Sequence, residues 1–127
     1  MNIPENLFYT KEHEWAKVDG DTITVGITAH AAEQLGDITF VELPEEGREV
    51  EQNGELAVVE SIKAASDIYA PVGGKVSEIN TELDDAPEKI NSDPYGEGWI
   101  CKISNFNQTE IDNLMSADDY KSFLESE

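Results

Sequence analysis

Glycine and proline punctuate this chain at close intervals and leave only short alternating segments between them. That pattern argues for a small sandwich or barrel of antiparallel strands rather than a parallel sheet. Leu7-Phe8-Tyr9 and residues 13–18 read as strands, Asp19-Gly20-Asp21 turns the chain, and residues 22–27 alternate again. Thr28 can cap a short helix through Ala29–Leu35, which Gly36 ends. Residues 38–43 read as a further strand stopped by Pro44 and Gly47, and residues 48–50 lead into the Asn53-Gly54 turn. After Pro71-Val72-Gly73-Gly74, residues 75–80 alternate, residues 81–98 read as loop with a helical turn, and residues 99–103 form a last strand. Beyond it, Asn107 with Glu110 resembles a capping box and Ser116 with Asp119 a looser one. Ile111, Leu114, Met115, Tyr120, Phe123 and Leu124 follow at helical spacing, so two short helices should pack on the β core.

Residues 56–71 fold onto themselves about Lys63-Ala64. With a two-residue loop there, Ile62 faces Ala65, Ser61 faces Ser66, Glu60 faces Asp67, Val59 faces Ile68 and Val58 faces Tyr69. The loop chemistry is unusual, since tight hairpins favour Asn-Gly or Gly-X to reach positive φ, and an acidic pair directly opposite is destabilising. Spacing alone permits either an ordinary solvated lysine at a hairpin tip or a lysine held out for modification.

The whole chain, at 127 residues, fits one domain with a hairpin lead-in over 7–27, a core over about 36–80, and a final strand with terminal helices over 99–125. Eight Lys and Arg against 28 Asp and Glu give a net charge of −20, which repels nucleic-acid phosphates and anionic membranes and serves either solubility alone or steering toward basic partner surfaces. Cys101 is alone, so no internal disulfide is possible, and its setting between Ile100 and Ile103 suits packing. No apolar run approaches the roughly 18 residues that span a bilayer. The first residues carry no secretory or organelle signal, so the expectation is a bacterial cytoplasm, or a mitochondrial matrix for a processed eukaryotic form. His13 and His30 lack partners at metal-ligand spacing and the acidic runs lack a calcium-loop pattern, so no metal is expected.

The residues around Lys63 resemble the lipoyl-attachment pattern: Gly47, Val50, Leu56 and Val59 upstream, Lys63-Ala64-Ala65 at the turn, then Ile68 and Gly74-Lys75-Val76. The flanks narrow this. Tyr9-Thr10-Lys11-Glu12-His13-Glu14-Trp15, Gly26-Ile27-Thr28, Leu35-Gly36-Asp37-Ile38, Val41-Glu42-Leu43-Pro44 and Pro94-Tyr95-Gly96-Glu97-Gly98-Trp99 resemble the glycine cleavage system H proteins over nearly the whole chain. The resemblance implies a mainly β, lipoyl-type barrel-sandwich hybrid with a short internal helix and C-terminal helices. It implies a non-catalytic carrier with lipoic acid attached covalently to Lys63 by a lipoate ligase or an octanoyltransferase. It also implies three partners: a pyridoxal-phosphate glycine decarboxylase that loads an aminomethyl group, a tetrahydrofolate-dependent aminomethyltransferase that removes its carbon, and a dihydrolipoyl dehydrogenase, using FAD and NAD, that reoxidises the thiols.

The same resemblance assigns Glu60, Asp67 and Gly74 to recognition by the lipoylating enzyme. Glu12, Glu14, His30 and Asp67 become candidates to line a cleft that shelters the loaded arm. Other readings are a relay passing lipoyl groups to other acceptors and an unmodified acidic adaptor. A Schiff-base enzyme is disfavoured because the carboxylates Glu60 and Asp67 favour the protonated amine. A biotin carrier is disfavoured because Ile62 and Ala64, rather than methionines, flank the lysine.

Overall fold

The computed structural model describes residues 3–126. Among the described residues, nine strands occur in the order β1 Phe8–Tyr9, β2 Glu14–Asp19, β3 Thr22–Ile27, β4 Ile38–Glu42, β5 Glu49–Val50, β6 Glu55–Ser61, β7 Ala65–Tyr69, β8 Gly74–Ile79 and β9 Cys101–Ser104. The helices are α1 Ala29–Leu35 between β3 and β4, α2 Glu82–Asp85 and α3 Lys89–Ser92 between β8 and β9, and α4 Gln108–Ile111 and α5 Ala117–Ser126 at the end. Every strand pairing is antiparallel. One sheet runs β1-β2-β3-β9-β8-β5 and the other β4-β6-β7.

The alternation read from the sequence supplies the core. Ile23, Val25 and Ile27 from β3, Val41 from β4, Leu56 and Val59 from β6, Ile68 from β7, Val76 from β8 and Ile103 from β9 are all buried in one cluster. Each contributes on the order of 2 kcal/mol by leaving water. Cys101 is fully buried among them. A second cluster, Leu7, Tyr9, Trp15, Ala117 and Tyr120, seats α5 against the first hairpin. The backbone clamps it there, because Tyr9 N–H donates to Met115 O and Met115 N–H to Tyr9 O, both at 2.8 Å. Residues 81–98 hold two single-turn helices, α2 and α3, whose Leu83 and Ile90 are fully buried.

Two local expectations are corrected. The β6–β7 hairpin pairs Glu60 with Ala65, Val59 with Ser66, Val58 with Asp67 and Ala57 with Ile68, so its loop is the four residues Ser61 to Ala64. A two-residue Lys-Ala loop would need positive φ, and neither residue has it. Ser61 turns the chain instead: its Oγ accepts from Lys63 N–H at 3.1 Å and Ala64 N–H at 3.2 Å, and its own N–H donates to Ala64 O at 2.8 Å. The register moves by two residues, so every side chain keeps its face, but Glu60 and Asp67 no longer oppose each other. At α4, Asn107 accepts from Thr109 N–H as an N-cap, while Glu110 accepts from the distant Gly73 N–H at 2.8 Å rather than closing a capping box.

Candidate functional site

The loop between β6 and β7 leaves Lys63 exposed, with its Nζ donating to Gln34 O at 3.3 Å in the last turn of α1. A cation beside the carbonyl end of a helix is electrostatically favourable. Gly36 makes the approach possible, since a Cβ there would lie 3.1 Å from Lys63 Cε. The residue read from sequence as a helix terminator, at φ 83, therefore also cradles the lysine stem.

At its start, α1 meets a different environment. Thr28 caps the helix by accepting from Ala31 N–H at 3.2 Å, and Thr28 N–H donates to His13 O at 3.0 Å. Next to His13, the Glu14 carboxylate accepts from Tyr69 N–H at 3.1 Å and from Thr10 Oγ1 at 2.5 Å, while Thr10 Oγ1 accepts from Glu14 N–H at 3.0 Å. Thus α1 runs from beside His13 and Glu14 to the Lys63 end, and β7 runs from the Lys63 loop to Tyr69, whose N–H meets Glu14. At about 1.5 Å per residue the seven residues of α1 span roughly 10 Å, and at about 3.3 Å per residue β7 from Ala65 to Tyr69 spans roughly 13 Å.

Glu14 is 1% exposed, and this burial pushes its carboxyl up to about 7 despite the hydrogen bonds from Thr10 and Tyr69 that favour its charged form; Glu12 pushes it up further. Tyr69 feels the other acids. Asp67 foremost, then burial, then Glu12, Glu55 and Glu14 raise its phenol. Of the cleft candidates, Glu14 is bonded to Tyr69 N–H, Asp67 stands two residues before Tyr69 on β7, and Glu12 acts on the same phenol through space. The His30 ring lies 4.6 Å from that of His13. Glu60 stands exposed on β6, directly opposite Phe40 and Ala65. Gly74 belongs to β8 in the other sheet, where a Cβ would collide with Ser104 O, so close packing of β8 on β9 requires glycine there.

Sequence reasoning passed over Thr10, Tyr69 and Tyr120 as site residues. The Tyr120 hydroxyl lies 2.8 Å from both His13 Nδ1 and Thr28 Oγ1, and its ring stacks on Tyr9 at 4.6 Å. It ties α5 to the buried end of α1 and to His13, whose φ of 70 is uncommon outside glycine. Only its helical spacing was visible beforehand. The Cys101 thiol, pushed up to about 12 by burial, is kept from thiol exchange. Among the described residues there is no group of three or more His, Cys, Asp or Glu able to hold a metal, and no helix long and apolar enough to cross a membrane.

Comparison with known proteins points one way. The sequence profile of the family described as "Glycine cleavage H-protein" matches residues 7–127. The chain is 56% identical over 122 residues to the glycine cleavage system H protein of Symbiobacterium thermophilum, covering 96% of this chain and 95% of that one. It is 54% identical over 127 residues to that of Thermus thermophilus, covering 100% and 99%. The crystal structure of a glycine cleavage system H protein from Mycobacterium marinum superposes with a TM-score of 0.84 at 38% identity, covering 94% of this chain and 97% of that one. The lipoyl-type barrel-sandwich fold expected from the sequence is thereby established.

Proposed function

The chain belongs to the glycine cleavage H-protein family, and from that premise we propose that Lys63 is the residue through which it carries its lipoyl group. It is a lipoyl carrier of the glycine cleavage system and a non-catalytic component of it. The observation that carries the assignment to Lys63 is an exposed amine whose stem rests against the bare Cα of Gly36. When bound, the lipoyl group supplies a dithiol–disulfide pair on a neutral amide tether, able to take up and return a one-carbon amine and two electrons. Its partners are components of the same system. Among them we place the pyridoxal-phosphate decarboxylase, the folate-dependent aminomethyltransferase and the flavin dehydrogenase, together with a lipoate ligase or octanoyltransferase. The bacterial relatives favour a bacterial cytoplasm as the setting, and the sharing of one sheet by the lead-in hairpin, β8 and β9 favours a single carrier unit.

The chain's own residues supply position, shelter and charge. An acylated Lys63 keeps one N–H, which can go on donating to Gln34 O and so aim the tether along α1. A lysyl arm of about ten linear bonds, at roughly 1.3 Å projected each, reaches about 14 Å. That is comparable to the lengths of α1 and β7, which both lead from the Lys63 loop toward Glu14, where Glu12, Glu14 and Asp67 can receive a protonated amine. Burial raises the Glu14 carboxyl toward neutrality, and a cation beside it favours the ionised form, so docking of the amine favours loss of its proton. His30 flanks this end through His13. Glu60 and Asp67, exposed on one face of the β4-β6-β7 sheet, are the side chains a lipoylating enzyme reads, and Gly74 serves that recognition through the fold. Incubation with lipoate ligase, ATP and lipoate should add one lipoyl group by intact mass to the chain and none to Lys63→Arg. Equal modification of that variant would overturn the assignment.

A further inference from the structure

The β4-β6-β7 sheet presents an outer face whose row nearest the loop is Phe40, Glu60 and Ala65, with Glu42, Val58 and Asp67 in the next parallel row. Among the described residues, the large hydrophobic side chains left exposed are Phe40, at 50%, and Ile62, at 69%. They lie together. Phe40 pairs with Glu60, Ile62 stands two residues beyond Glu60, and Ile62 N–H donates to Asp37 O at 3.1 Å, just before β4 begins. The exposed acids Asp37, Glu42 and Glu60 surround the pair. Two bulky apolar groups in water on an otherwise strongly acidic chain mark a contact surface, and the acidic border fits a partner whose apolar pocket is rimmed by Lys and Arg.

Geometry chooses among the proteins that handle this carrier. Any partner working on the far end of the arm acts about 14 Å from the lysine backbone and need not touch the loop. The enzyme that attaches the lipoyl group must bring its reacting carbonyl within bonding distance of Nζ, and so cannot avoid Ile62 and its neighbours. We propose that Phe40 and Ile62, bordered by Asp37, Glu42 and Glu60, form the surface that the lipoyl-attaching enzyme reads, through an apolar pocket with a basic rim. The step it serves balances simply: the N–C amide bond forms, the acyl–phosphate bond of lipoyl-adenylate breaks, AMP leaves, and the lysine ammonium gives up two protons. The inference rests on Lys63 as the attachment residue.

The test uses the full chain with lipoate ligase, ATP and lipoate, following initial rates by intact mass for the parent, Phe40→Thr, Ile62→Ser, the double variant and Glu60→Gln. Chains lipoylated to completion by long incubation are then assayed for reduction by dihydrolipoyl dehydrogenase with NADH, which reads the distal end of the arm. The expected result is at least a tenfold fall in kcat/KM for attachment in the double variant, carried by KM, with smaller falls in the single variants and distal reduction within twofold of the parent. Attachment within twofold of the parent, or an equal loss in both assays, would overturn the proposal. Lys63→Arg run alongside separates the premise: its modification removes the attachment site and the reading surface with it, whereas its silence beside an unimpaired double variant removes the surface alone.

Discussion

The two ends of α1 are built on opposite principles. At its C-terminal end the helix offers Gln34 O and the empty side of Gly36 to an exposed, positively charged Lys63, held by a loop that Ser61 turns. At its N-terminal end its cap Thr28 bonds His13 O, next to a buried carboxyl, Glu14, fixed by Thr10 and Tyr69, with Tyr120 bolting α5 onto the joint. The first end tolerates change in its surroundings because water solvates it. The second does not, because a buried polar group left without a partner costs about 1–3 kcal/mol. The first end offers an amine that other enzymes can reach, and the second a fixed frame behind it.

The contrast can be broken most severely at the exposed end. Lys63→Arg should abolish lipoylation, read by intact mass, yet leave the urea unfolding midpoint within experimental error; loss of stability in this variant would mean that the two ends are one unit. At the buried end, Glu14→Gln should do the reverse, leaving attachment intact and changing the pH dependence of stability. The folded carboxyl, raised from 4.5 to about 7, adds a contribution that is complete below about pH 4.5 and is lost as pH rises through 7. Between pH 4.5 and 8 the parent should therefore lose on the order of 3 kcal/mol relative to Glu14→Gln, at about 1.4 kcal/mol for each tenfold change in proton affinity. Parallel stability curves for the two proteins would remove the buried-carboxyl account.

Smaller effects sharpen the same line. Tyr120→Phe takes away the hydroxyl shared by His13 and Thr28, and should cost about 1–3 kcal/mol in chemical unfolding without slowing lipoylation. Ser61→Ala, at the exposed end, removes the oxygen that accepts from Lys63 and Ala64 N–H and should cost only about 0.5–1.5 kcal/mol. Its clearer mark should be faster hydrogen exchange at those two amides, and unchanged exchange would assign the loop's shape to something other than Ser61.

Local pattern carried much of the molecule. The Thr28 cap, the Gly36 stop, the alternation of β3 and β6, the placing of Lys63 on a hairpin loop and the family resemblance are all properties of neighbouring residues, and the chain alone determined them. The hairpin's register was decided by the fold, because mirror symmetry of residue types scores a two-residue loop and a four-residue loop almost alike, and Ser61's hydrogen bonds broke the tie. Glu14 as a carboxyl near neutrality, Gly36 beside Lys63 and Tyr120 against His13 likewise belonged to tertiary structure alone. Burial and contact depend on partners 27 to 107 residues away, which no window along the chain contains.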